Sequence, residues 1–219
     1  HMFSKENNFY GGHGIVGAQV PIGTGIAFTH KYNGEKNICR TYIGDGAMNN
    51  GQVFEAFNLA ALWKLPVLYI IENNKYGMGT SVDRAAAGLD LYKRGEAFGI
   101  PGEKVDGMNV FSVIEAADKA GKYVREGNGP YIIEVQTYRY RGHSMSDPAK
   151  YRTKAELEEY KNSDPIEIVK EEIIKNKIAS KVELENLNKE IIEEVKSAVD
   201  FALKSKFPSS EELYTDVYL

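Results

Sequence analysis

An acidic motif and an amide motif each follow an apolar run. Gly44-Asp45-Gly46 follows the run that starts at Ile38, and Asn73-Asn74 follows the run that starts at Pro66. Carboxylate and amide oxygens are the hard ligands that Mg²⁺ prefers, and phosphate oxygens and water commonly complete its shell. The residue types therefore predict a site for a magnesium ion and a diphosphate, provided that the two motifs meet in the fold.

The segments between the motifs predict that they do meet. Ile38 to Ile43 is rich in β-formers, and Asn49 to Leu65 has apolar residues at helical spacing. Pro66 to Ile71 is apolar throughout, as expected for a strand covered on both faces of a parallel sheet. A strand-helix-strand crossover brings the carboxyl ends of both strands to one edge of the sheet. We therefore predict an α/β fold with a mainly parallel sheet and helices on both faces.

Main-chain groups beside the two motifs can complete the site. The glycines flanking Asp45 allow close approach to phosphates, and the N–H groups of Gly46 and Ala47 lie at a helix start, where anions bind. A backbone carbonyl near Tyr76 is a candidate third metal ligand. The alternative is a tight strand-to-helix turn followed by an ordinary loop.

Three long motifs carry a resemblance to a known family. Residues 11–20 (GGHGIVGAQV), 44–80 and 136–152 (QTYRYRGHSMSDPAKYR) resemble the α subunit of the pyruvate dehydrogenase E1 component, a thiamin diphosphate-dependent 2-oxo acid dehydrogenase family. The resemblance implies a thiamin diphosphate-binding fold of the diphosphate-binding type. It also implies thiamin diphosphate and Mg²⁺ as cofactors.

The resemblance also implies roles for particular residues. It makes Asp45, Asn74 and the Tyr76 carbonyl the metal ligands. The remaining expected contacts are with the cofactor: the diphosphate would contact Gly46, Ala47 and His143, and the main chain of Gly14 and Val16 would hold the aminopyrimidine ring. His143 is the one candidate catalytic residue in this chain, since the family takes the ring-activating acid from the β subunit.

The activity implied is that of an oxidoreductase that decarboxylates a 2-oxo acid and passes the acyl group to the lipoyl domain of E2. Pyruvate is the favoured substrate, and branched-chain 2-oxo acids or acetoin are the alternatives. The expected assembly is an α2β2 heterotetramer with the E1 β subunit. The family carries a further segment before the first motif, so this chain is expected to be a truncated form, inactive alone, whose remaining role is to bind the β subunit.

A second glycine motif suggests a different function. Residues 12–17 fit G-x-G-x-x-G, which in a Rossmann fold binds a dinucleotide. That fingerprint requires a strand leading into the turn, and the preceding residues 4–8 are polar and turn-like. An NAD-linked oxidoreductase is therefore the less favoured interpretation.

Length, composition and charge exclude some classes of protein but do not identify this one. A chain of 219 residues with 42% hydrophobic residues is typical of a globular protein with one good core. The net charge of −4 does not favour nucleic-acid binding, and no stretch is long enough to span a membrane. The single cysteine, Cys39, excludes an internal disulfide and suits a reducing compartment, so we expect the bacterial cytoplasm or the mitochondrial matrix.

The chain is expected to divide near residue 152. Residues 3–152 form the predicted α/β core, which ends in a polar, cationic loop that contains His143. Residues 153–219 show helical spacing of apolar residues and are predicted to form a helical extension that packs on the core.

Overall fold

A parallel β-sheet organises the protein, whose computed structural model describes residues 2–215 and residue 217. Its four strands lie in the order β1-β2-β6-β5, and every neighbouring pair is parallel. A separate two-stranded antiparallel hairpin is formed by β3 and β4. The strands are β1 (Cys39–Gly44), β2 (Val67–Asn73), β3 (Tyr76–Gly77), β4 (Thr80–Ser81), β5 (Gly102–Asp106) and β6 (Tyr131–Gln136).

Seven α-helices accompany the strands in the described part of the chain. Three of them begin with a side-chain cap: Asn109 accepts from the backbone at the start of α4, Thr153 does so at the start of α5, and Ser180 forms a capping box with Glu183 at the start of α7. The helices are α1 (Gln19–Tyr32), α2 (Gly51–Leu62), α3 (Val82–Ala85), α4 (Val110–Arg125), α5 (Lys154–Lys161), α6 (Pro165–Lys175) and α7 (Lys181–Lys204).

The alternation of side chains along β2 creates a core on each face of the sheet. Val67, Tyr69 and Ile71 are buried in one apolar cluster together with residues of α1 and α2. Leu68 is buried in a second cluster together with Ala116, Ala120 and Val124 of α4. Both faces of the central strand are thus covered, which confirms the predicted parallel sheet with helices on both faces.

The predicted strand-helix-strand unit is confirmed with small shifts at its ends. The helix between β1 and β2 is interrupted near its start: residues Ala47–Asn49 form a 3-10 turn, Asn50 is extended, and α2 begins at Gly51. The sequence did not indicate β5 (Gly102–Asp106), in which three of the five residues are charged: Glu103, Lys104 and Asp106. Strand β5 lies at the edge of the sheet, where charged residues are tolerated because one side faces solvent.

The chain separates into two compact units, residues 1–165 and residues 166–219. Helix α5 therefore belongs to the first unit. In the described part of the second unit, α7 contains no buried residue, and the same holds for the whole of α6. The predicted packing of residues 153–219 on the core stays a prediction.

Packing of α1 against β1 requires a glycine at position 23. A Cβ at Gly23 would overlap the Oγ1 atom of the buried Thr41, whereas a Cβ at Gly25, in the same helix, would meet no atom within 4 Å. We expect Gly23→Ala to lower the free energy of unfolding by about 1–3 kcal/mol through overpacking. The matched control Gly25→Ala should raise it by up to about 1 kcal/mol, because alanine favours the helix. Urea unfolding of both variants measures the difference, and equal effects would contradict the close packing.

Candidate functional site

Two predicted metal ligands lie at one edge of the sheet. Asp45 follows β1 and Asn74 follows β2, and the register of these parallel strands pairs Gly44 with Glu72. Asp45 is 2% exposed, and its Oδ2 atom is buried without a hydrogen-bond partner. An unpaired buried carboxylate oxygen is costly in a folded protein. The observation fits a group that binds a cation.

Electrostatics around Asp45 support the same interpretation. Burial raises the pKa of this carboxyl, while the backbone N–H groups of Asp45 and Asn74 oppose the rise. The positive charges of Arg139 and Lys75 also lower the pKa, but by less. Asn74 and two cationic side chains therefore surround the carboxyl. These groups lower the pKa by less than desolvation raises it. A further positive charge beside the carboxylate would therefore be stabilising.

The turns that follow β1 and β2 are in van der Waals contact. A Cβ on Gly46 would lie 3.3 Å from the Cα of Gly77, and a Cβ on Gly77 would lie 3.4 Å from the Cα of Gly46. Within the second turn, the Asn74 Oδ1 atom accepts a hydrogen bond from the Tyr76 N–H at 3.3 Å. The structure therefore brings Asp45, Gly46, Asn74 and Tyr76 together, as the sequence predicts. Ala47, also predicted, is buried directly after them.

The segment that contains Gly14 and Val16 lies against the same turn. The Val16 carbonyl accepts hydrogen bonds from Asn50 Nδ2 at 3.2 Å and Gln52 Nε2 at 3.0 Å. Asn50 Nδ2 also donates to the Ala47 carbonyl at 3.3 Å. Gly14 and Val16 are exposed. The main chain of this segment is thus held beside the turn that contains Ala47, and its surface is exposed.

The loop at residues 12–17 lacks the context of a dinucleotide fingerprint. Among residues 2–18, all of which the structure describes, the only pairing is an isolated antiparallel bridge between Ser4 and Phe9. The loop leads into α1 from an irregular segment. This geometry favours the interpretation given to Gly14 and Val16 over an NAD site.

Arg139 joins the turn that carries Tyr76 to the loop that follows β6, a contact that the sequence did not reveal. Its guanidinium donates to the carbonyls of Tyr76 at 3.2 Å and Met78 at 2.6 Å, and to the Tyr151 hydroxyl at 2.8 Å. A carbonyl has two lone pairs, so the Tyr76 oxygen keeps one for a metal. Arg139 lies in the cationic loop that the sequence predicts, but nothing in a polar loop marks one arginine as half-buried.

The backbone of His143 is fixed, but its imidazole is exposed. The His143 N–H donates to Asp147 Oδ2 at 2.7 Å, and Asp147 also accepts from the Ala149 N–H and the Tyr151 hydroxyl. These donors, with the His143 N–H first, lower the pKa of Asp147 to about 2. No hydrogen bond in the described chain joins the imidazole to Asp45 or Asn74. The predicted role of His143 at the diphosphate stays a prediction.

The donor set fits a hard cation. Among the described residues there is no group of three or more His, Cys, Asp or Glu side chains that could hold a metal. The predicted site is of another kind, with one carboxylate, one amide oxygen and one carbonyl, and phosphate would supply the remaining ligands. The buried, unpaired oxygen of Asp45 is the observation that carries this fit.

Comparison with known proteins places the chain in a family. The family model described as dehydrogenase E1 component matches residues 1–211. The chain belongs to the dehydrogenase E1 component family. The pyruvate dehydrogenase E1 component subunit alpha of Rickettsia felis is 59% identical over 218 residues, which cover 100% of this chain and 67% of that protein. The Rhizobium meliloti protein of the same name is 56% identical, with 100% and 63% covered.

A mitochondrial relative extends the comparison. The somatic, mitochondrial form of the alpha subunit from Bos taurus is 53% identical over 220 residues, which cover 100% of this chain and 55% of that protein. This E1 family chain therefore spans between about half and two thirds of the length of these relatives. No described helix of the chain is long and apolar enough to cross a membrane.

Asp45 should cost stability in the cofactor-free E1 family chain. Because burial raises its pKa above the unfolded value, folding is penalised when the carboxyl is ionised. The penalty is absent well below the unfolded pKa of about 3.9, where the group is protonated in both states. It grows as the pH rises above the unfolded pKa and is complete once the pH exceeds the raised folded pKa. We therefore expect Asp45→Asn to raise the melting temperature at pH 7 more than at acidic pH.

Thermal unfolding followed by circular dichroism from pH 3.5 to pH 7 measures this dependence. The control is Asp106→Asn, which replaces an exposed carboxylate at the end of β5. This control should show no comparable change with pH. An Asp45→Asn variant that is less stable than the original chain at pH 7 would contradict an uncompensated charge at this position.

Proposed function

We propose that the chain is part of the α subunit of a thiamin diphosphate-dependent pyruvate dehydrogenase E1. In this proposal, the complete enzyme decarboxylates pyruvate oxidatively and transfers the acetyl group to the lipoyl domain of E2. The observation that carries the proposal is the buried, unpaired Asp45 oxygen beside Asn74 at the carboxyl edge of a parallel sheet. Family membership and the names of the relatives support it.

Each proposed contact uses a group in the arrangement described above. Asp45, the Asn74 amide oxygen and the Tyr76 carbonyl would bind Mg²⁺. The main chain at Gly46 and Ala47 would approach the diphosphate, because the contact between the two turns leaves only backbone at that point. The Gly14 and Val16 main chain would hold the aminopyrimidine ring, since Asn50 and Gln52 fix the Val16 carbonyl without covering the segment.

The chemistry divides between cofactor and protein. Thiamin diphosphate, when bound, supplies the electron sink for decarboxylation of a 2-oxo acid, and the protein supplies binding and orientation. The Arg139 contacts hold the loop that carries His143 near the turn that carries Tyr76. From there the imidazole would reach the diphosphate and donate a hydrogen bond to it. We assign the acid that activates the aminopyrimidine ring to the β subunit.

The proposal therefore concerns an assembly and not the isolated chain. We propose an α2β2 heterotetramer with an E1 β subunit, in the bacterial cytoplasm or the mitochondrial matrix. Pyruvate is preferred over branched-chain 2-oxo acids and acetoin, because the relatives compared above are named for pyruvate. The chain alone, which spans only part of its relatives, would be a folded β-binding fragment without turnover.

Isothermal titration of the heterotetramer with thiamin diphosphate and Mg²⁺ tests the site. We expect Asp45→Ala to abolish Mg²⁺-dependent binding, because the only anionic ligand is lost. Asn74→Ala removes a neutral ligand and should weaken binding less, by about tenfold or more, since a lost polar contact to a charged partner costs about 1.5–3 kcal/mol. The matched control is Asp106→Ala, which removes a carboxylate from the carboxyl end of β5, the edge strand of the same sheet.

The order of the three affinities decides the result. Asp106→Ala should bind like the original protein. If Asp45→Ala and Asn74→Ala both keep the original affinity, the metal site lies elsewhere and the assignment of the two turns is wrong.

A further inference from the structure

A fully buried carboxylate lies behind the proposed metal site. Glu134 is on β6, is 0% exposed and pairs in register with Ile71 of β2. Two residues further along the same ladder, Asn73 pairs with Gln136, and Asn74 follows directly. Glu134 is thus close to the turn that carries Asn74 but is not among the proposed metal ligands. Charged residues are rarely buried completely unless they serve several partners.

Three hydrogen-bond donors converge on Glu134. Its Oε1 atom accepts from Asn73 Nδ2 at 2.8 Å and also from Gln136 Nε2. Its Oε2 atom accepts from the Tyr92 N–H at 3.0 Å. Every partner donates, so both oxygens act only as acceptors.

The outer ends of this network fix the direction of its hydrogen bonds. The backbone N–H of Lys75 donates to Asn73 Oδ1 at 3.3 Å, and the Lys75 ammonium donates to Gln136 Oε1. An N–H group and an ammonium can only donate. Both amide side chains therefore present oxygen to Lys75 and nitrogen to Glu134. A carboxylate satisfies this arrangement, whereas a glutamine at position 134 would bring an NH2 group against a donor.

The same carboxylate is connected to both halves of the proposed site. Through Asn73 it reaches the turn that carries Asn74. Through the Tyr92 N–H it anchors the 3-10 segment Leu91–Phe98. In that segment, Arg94 donates to the Met48 carbonyl at 2.7 Å, in the 3-10 turn that follows Asp45.

We propose that Glu134 is a positioning residue that sets the distance between the Asp45 turn and the Asn74 turn. It touches neither metal nor cofactor. It acts by giving Asn73 and the Tyr92 backbone one shared acceptor. The positions of both turns are therefore fixed by contacts to one strand, β6. This inference rests on the function proposed for the site, but the network itself can be tested without cofactor.

Amide hydrogen exchange of the cofactor-free chain tests the network first. We expect Glu134→Gln to speed exchange at the Lys75 and Tyr92 amides by about tenfold or more, since a buried hydrogen bond to a charged group is lost. The matched control is Glu103→Gln on the adjacent strand β5, where the carboxylate accepts from Tyr131 and Lys119 away from the turns. This control should leave both amides unchanged. Unchanged exchange at both amides in Glu134→Gln would overturn the proposal.

A reciprocal exchange of groups separates positioning from simple loss of stability. In the double variant Asn73→Asp/Glu134→Gln, the new glutamine donates to the new aspartate and still accepts from Tyr92, and net charge is retained. The Gln136 NH2 group then faces the new NH2 group, so the order of donors and acceptors is restored only toward position 73. We expect exchange at the Lys75 and Tyr92 amides to be slower than in Glu134→Gln. A double variant as fast as Glu134→Gln would overturn the argument from hydrogen-bond direction.

Cofactor affinity in the heterotetramer is the second measurement. Glu134→Gln should weaken binding of thiamin diphosphate with Mg²⁺ by about tenfold or more, and Glu103→Gln should not. If the original heterotetramer does not bind the cofactor, the proposed function fails, whereas the exchange experiment still decides the role of Glu134. If Glu134→Gln does not fold, Asn73→Ser is measured instead at the Tyr92 amide, which is linked to Asn73 only through Glu134. Unchanged exchange at Tyr92 in Asn73→Ser would overturn the proposal.

Discussion

Parallel pairing of β1 with β2 is the constraint on which the site depends. It places the residues that follow the two strands at one edge of the sheet, and the helix between them covers one face. The pairing is stabilised by burial on both faces of β2, where alternate side chains enter separate apolar clusters. A carboxylate at the end of β1 is therefore forced into a poorly solvated position. The core thereby stabilises an arrangement that Asp45 alone would disfavour.

Polar networks then refine what the sheet arranges. Glu134 connects two turns from behind, and Arg139 connects the Tyr76 carbonyl to the loop that carries His143. Both side chains bind main-chain groups, so they fix the backbone and leave the surface of the site open. Two buried side-chain atoms of the described residues lack a hydrogen-bond partner, Asp45 Oδ2 and Arg139 Nε, and both belong to side chains around the proposed site. Buried polar groups without a partner are rare in native structures, and a group that binds at the site would account for the Asp45 oxygen.

Local sequence predicts part of this structure, for identifiable reasons. The apolar and β-rich runs predict the strands at 39–44 and 67–73. The geometry of a strand-helix-strand crossover then predicts that Asp45 and Asn74 lie at the same edge of the sheet. The edge strand β5 was missed because its charged residues form no apolar run. The role of Glu134 does not follow from local sequence, because two of its three partners, Asn73 and Tyr92, come from distant segments. A lone charge within an apolar strand is a signal that could have indicated it.

A crystal structure of the heterotetramer grown with thiamin diphosphate and Mn²⁺ tests the central claim most directly, because the anomalous signal of manganese locates the metal without assumptions about the protein. The account predicts one peak per α chain, within coordination distance of the Asp45 carboxylate and the Asn74 amide oxygen and next to the diphosphate. A peak elsewhere, with the Asp45 carboxylate still unpaired, would contradict it.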